Sequence, residues 1–125
     1  MYTALVLNQA SHERLITQFK DLIPANWSVI AHHMTVNMGD FNNGPLKNSE
    51  FKLNDVEALS VCAYSYDDKV MAVKVITSVP SVNATKHITV AVNKQGGGIP
   101  FMSNKLTEWQ PTSPLQLSGT IEEVQ

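Results

Sequence analysis

A chain of 125 residues is long enough for one hydrophobic core without disulfide or metal support, and its 43% apolar and 16% charged residues are ordinary globular proportions. Nine basic against eleven acidic residues leave a formal charge of −2, which excludes the strong basic patch that wrapping a long nucleic acid requires. One cysteine excludes an internal disulfide and a multi-thiolate metal site.

These bounds predict a single domain over residues 1–125, with Cys62, in the apolar run ALSVCAY, acting as a small buried hydrophobe. The opening MYTALVLNQASHER has no basic start and too short an apolar run for a signal peptide or a membrane span. A cytoplasmic chain with no membrane partner is therefore expected.

In chain order, Tyr2 to Leu7 reads as a buried strand, being short, apolar and followed by turn-prone Asn8. A helix should follow: Ser11 can cap it, Glu13 suits its positive end, and Leu15, Ile16, Phe19, Leu22 and Ile23 recur at helical spacing until Pro24. Trp27 to Met38 reads as a second strand, and GDFNNGPLKN as a surface loop rich in glycine and asparagine. FKLNDVEALSVCAYSY and KVMAVKVI flank Asp67 and Asp68 as a hairpin, although DVEALS could also take a helical turn. After Pro80, Lys86 to Asn93 forms another strand. Three glycines then precede a short helix from Pro100 to Trp109, and PLQLSGTIEEV closes the chain as a strand with a bulge or bend at Gly119.

Two of these strands repeat one pattern, His-apolar-Thr-apolar: HMTV from His33 and HITV from His87. Side chains alternate faces along a strand, so His33 and Thr35 share one face, and His87 and Thr89 another, each backed by apolar residues. Asn37 and Asn93 extend those polar faces. His32 should face away from His33 in a regular strand, and His12 belongs to the first turn of an exposed helix; neither is expected to act.

Two imidazoles facing one cavity suit phosphodiester chemistry. One, neutral, takes a proton from the nucleophile and the other, charged, gives one to the leaving oxygen, because histidine titrates near neutrality. The two threonine hydroxyls can donate hydrogen bonds to non-bridging phosphate oxygens. Metal-ligand spacing of the HExxH or paired-cysteine kind is absent, as are a GxSxG elbow and a P-loop ending, so no metal and no cofactor is expected.

On these motifs the chain resembles the two-histidine (2H) phosphoesterase superfamily, whose signature is a pair of His-x-Thr/Ser motifs on central strands of two pseudo-symmetric lobes. The resemblance implies an α+β fold, compact, bilobal and pseudo-two-fold, mainly antiparallel sheet with one clear N-terminal helix and one short C-terminal helix. It implies that His33 and His87 are the acid–base pair and that Thr35 and Thr89 hold the phosphate. It further implies cleavage of a cyclic or 2′-linked nucleotide or of an RNA-end phosphodiester, in RNA repair or nucleotide signalling. A short or cyclic nucleotide, or an RNA terminus, is the expected partner. Only ten residues separate Ile76 from His87, too few for the helix the family usually carries before its second motif. The second lobe should thus be reduced, with the Pro100 to Trp109 helix taking over its packing. Lys94, Ser103 and Asn104, in and beyond the glycine-rich loop, are candidate substrate contacts. The competing reading is a nucleotide- or RNA-end-binding module that retains both motifs without turnover.

Overall fold

Seven strands and one α-helix follow one another in the computed structural model, which describes residues 1–125: β1 (Tyr2–Leu7), α1 (Gln9–Phe19), β2 (Ser28–Val29), β3 (His33–Met38), β4 (Val56–Tyr66), β5 (Val70–Ile76), β6 (His87–Val92) and β7 (Gln110–Val124). Every strand pairing is antiparallel, and the circuit β1–β3–β6–β5–β4–β7 returns to β1. Six strands therefore close into a barrel, which removes the free edges an open sheet would expose. β2 pairs with β6 beside β3. The fold is α+β, mainly antiparallel, with one main helix.

The principal core gathers Leu5 from β1, Met34 and Val36 from β3, Leu59 and Val61 from β4, Val73 from β5, Ile88 and Val90 from β6, and Ile121 from β7. α1 adds Leu15 and Phe19 to the same cluster. A second cluster, Val70, Ala72, Val92 and Leu106, lies on the other face of β5 and β6, with Met102 and Trp109 against it. The switch of faces follows from the register: Met71 pairs with Ala91 but Ala72 with Thr89, so Val90 is an extra residue and the alternation resets there. This second cluster seats the chain after β6 over the barrel wall. No helix is long and apolar enough to cross a membrane.

Several local expectations change. The helix is capped by Asn8, whose Oδ1 accepts from Ser11 N at 2.8 Å, and not by Ser11. Ser11 instead lies buried inside the helix, where its Oγ accepts from Ser118 N at 2.8 Å. The Trp27 to Met38 strand is interrupted, because Ala31 adopts a φ of +46° between β2 and β3. That break is held by three bonds: Ala31 N donates to Thr89 O, Leu7 N donates to His32 O, and His12 Nδ1–H donates to Ala31 O at 2.8 Å. His12 is therefore half-buried and structural, not a free surface residue.

Cys62 is only half-buried, since it is the residue passed over by the register shift between Val61 and Ala63. DVEALS is strand from Val56 onward. The helix after the glycines is a 3-10 segment limited to Pro100–Lys105. Gly119 carries no bulge: pairing runs through it on both sides, and the lack of a side chain is required because a Cβ would lie 2.9 Å from Val6 O.

Candidate active site on the seam between β3 and β6

β3 and β6 meet with Met34 opposite Ile88. Both residues are fully buried beneath the seam. In an antiparallel pair the flanking positions then face each other as His33 with Thr89 and Thr35 with His87. The Met34–Ile88 pair is thus a local two-fold axis that carries His33 onto His87 and Thr35 onto Thr89. The two histidines are diagonal neighbours on the outer face, about 7–8 Å apart at their roots.

Beyond Thr35 the two strands part. Thr35 O accepts from Ser81 Oγ at 2.7 Å and Val36 O from Val82 N at 2.8 Å, so the segment between β5 and β6 occupies that edge of β3. The opening is a cleft of about 360 Å³ whose lining includes His33, Thr35, His87 and Thr89. Val82 and Asn83 from the segment between β5 and β6, Pro100, Phe101 and Asn104 from the segment after the glycines, Tyr2 from β1, Met38 from the end of β3 and Ile30 from the break before it complete the lining.

Each imidazole has its Nδ1 engaged. His87 Nδ1–H donates to Thr85 O at 2.8 Å, since a carbonyl only accepts, and this leaves Nε2 for the cleft. His33 Nδ1 lies 3.0 Å from Nδ1 of His32, so one of that pair donates to the other and His33 Nε2 is likewise left free. The interrupted strand is what allows neighbouring imidazoles to meet; regular alternation would send them to opposite faces. Burial first, then the neighbouring His32 and His87, push the His33 imidazole down to about 4 from an ordinary 6.5. His33 is therefore neutral at neutral pH. Its ring also packs against Tyr2, centroids 4.9 Å apart, and burial raises the Tyr2 phenol.

The other expected contacts divide. Asn104 lines the cleft, its Nδ2 donating to Phe101 O at 3.1 Å. Ser103 does not line it but is buried behind Thr89, the two hydroxyls sharing a 2.8 Å hydrogen bond. Lys94 is exposed in the turn after β6 and lies outside the lining, because the glycine turn folds back on Asn93 and Lys69 and away from the seam.

Tyr2, Ile30, Met38, Val82 and Asn83 had no local signal as site residues, for they come from three separate stretches of chain. Phe101 alone left a trace, as the aromatic of the PFMSNKL stretch just beyond the glycines, and it is 66% exposed. The lining contains no Lys, Arg, Asp or Glu. No group of three or more His, Cys, Asp or Glu side chains converges to hold a metal ion. No family model, curated protein or solved structure matches the chain.

Proposed function

We propose that the chain is a metal-independent phosphodiesterase of the two-histidine kind, acting on a cyclic or 2′-linked nucleotide or an RNA-end phosphodiester. The observation that carries this reading is the dyad at Met34–Ile88, which sets two His/Thr pairs around one cleft with both Nε2 atoms free. The bilobal pseudo-symmetry of that family corresponds, in this reading, to the same dyad.

A phosphorus centre sits between the imidazoles. His33, held neutral by burial, is the base: its Nε2 takes a proton from water as the new oxygen–phosphorus bond forms. His87 is the acid. Its Nδ1–H stays on Thr85 O whether the ring is neutral or charged, and from the charged ring Nε2–H passes to the departing ribose oxygen as that phosphorus–oxygen bond breaks. Thr35 and Thr89 hydroxyls donate to the non-bridging oxygens, where negative charge builds. A singly charged diester suits a lining without fixed cations, and the aromatic side chains of Tyr2 and Phe101 in that lining suit a stacked base. A cleft of about 360 Å³ favours a short or cyclic ligand over a long strand.

Incubation with 2′,3′-cyclic mononucleotides, 2′-5′ dinucleotides and cyclic oligonucleotides in EDTA tests the reading. A phosphomonoester product, lost in His33→Ala and in His87→Ala, supports it. Saturable binding with no product in any case assigns a binding module instead.

A further inference from the structure

His32 is exposed, and its imidazole bonds no side chain but that of His33, Nδ1 to Nδ1 at 3.0 Å with the rings nearly perpendicular. Such a contact has two neutral forms that differ in which ring donates. Only one of them serves the reaction. If His33 Nδ1–H donates to His32, the lone pair on His33 Nε2 faces the cleft; if His32 donates, His33 carries its proton on Nε2 and cannot accept another there.

We propose that His32 is a positioning residue that selects the tautomer of His33 and, by its own protonation, switches that tautomer off. Neutral, His32 accepts from His33 Nδ1–H. Protonated, it has no lone pair on Nδ1, so it donates to His33 and the remaining His33 proton moves to Nε2. His33 itself stays uncharged above about pH 4, so protonation of His32 above that pH changes the tautomer of His33 and not its charge. Tyr2 from β1 and His87 from β6 are the other titratable groups facing His33, and the lining offers no carboxylate to compete for its Nδ1–H. The inference rests on His33 being the base.

Long-range ¹H–¹⁵N spectra of the imidazoles, on the intact chain, read the tautomer with or without turnover. In the wild type His33 should be protonated on Nδ1 at alkaline pH and pass to the Nε2–H form as His32 titrates, while remaining neutral. His32→Asn supplies an amide oxygen that accepts without titrating, so its His33 should keep Nδ1–H throughout. A wild-type His33 that holds one tautomer across the His32 titration, or that is Nε2–H at alkaline pH, overturns the proposal.

With a cleavable cyclic nucleotide, His32→Ala should lower kcat roughly tenfold with KM little changed, the size expected when a group orienting an imidazole is lost. His32→Asn should restore kcat and move the acid limb of kcat/KM to lower pH. An acid limb shared by wild type and His32→Asn overturns the switch. If no diester is cleaved at all, the catalytic reading fails and the spectra alone decide the role of His32.

Discussion

Ser103 Oγ and Thr89 Oγ1 lie 2.8 Å apart in a buried hydrogen bond that ties the 3-10 segment to the second motif strand. When Ser103 is the donor, the Thr89 proton is held only by a long 3.4 Å contact to Pro100 O, which a phosphate oxygen can replace. Ser103→Ala should therefore lower kcat/KM about fivefold and destabilise the chain by about 1 kcal/mol, the usual net loss for one internal hydrogen bond. Steady-state kinetics beside a urea titration separates the two effects.

The histidine pair makes a stronger demand. His33→Ala and His87→Ala should each lower kcat by about 10²–10⁴-fold, the range for loss of one general acid or base, with binding of a non-cleavable analogue retained. If the pair acts as one unit, as proposed, combining them should cost much less than the product of the single effects. A double variant whose loss equals that product would place the two rings in separate steps.

Stability carries the imprint of His33 as well. Its folded value of about 4 lies below the ordinary 6.5, so as the pH falls the unfolded chain binds this proton first. Its contribution is fully present above about pH 6.5 and is lost as the pH falls through about 4, on the order of 3 kcal/mol. Urea midpoints from pH 8 to 4 should show a shallower decline in His33→Gln than in the wild type. Parallel curves would mean the ring is not held neutral.

Phe101, largely exposed in the lining of the cleft, offers a face on which a base can stack. Phe101→Ala should raise KM for a base-bearing cyclic nucleotide by about tenfold, equivalent to roughly 1–2 kcal/mol of stacking, with kcat nearly unchanged. A cyclic ribose phosphate lacking the base should be cleaved alike by both proteins. Equal KM values for the nucleotide would take Phe101 out of the binding site.

Gly98 tests the turn after β6. A Cβ there would meet Lys69 O inside van der Waals contact and come within 2.9 Å of Asn93 O, both of them backbone atoms that cannot yield easily. Gly98→Ala should cost about 1–3 kcal/mol, the range for overpacking, whereas Ala at Gly97, with open space but a φ of +84°, should lose stability through backbone strain alone. Thermal unfolding of the two variants checks both.

Much of the framework is legible in local patterns. The apolar run Tyr2–Leu7 and the helical spacing of Leu15, Ile16 and Phe19 identify β1 and α1, because periodicity is a property of neighbouring residues. The same holds for the shared face of each His/Thr pair, which follows from period-two alternation over three residues. The choice of Asn8 over Ser11 as cap was not legible, since Ser11 is recruited by Ser118, 107 positions away.

What local pattern could not supply is everything that depends on which strands become neighbours. That β3 and β6 pair at Met34 and Ile88, that Tyr2 and Phe101 reach the same cleft, and that Ala31 breaks its strand so His32 can touch His33 all arise from closure of the barrel. The depression of His33 belongs to this class too, because desolvation and the fields of His32 and His87 exist only once the chain has folded around them. Residue types and their spacing name the chemistry a chain can perform; contacts between distant segments set the distances and the burial that let it proceed.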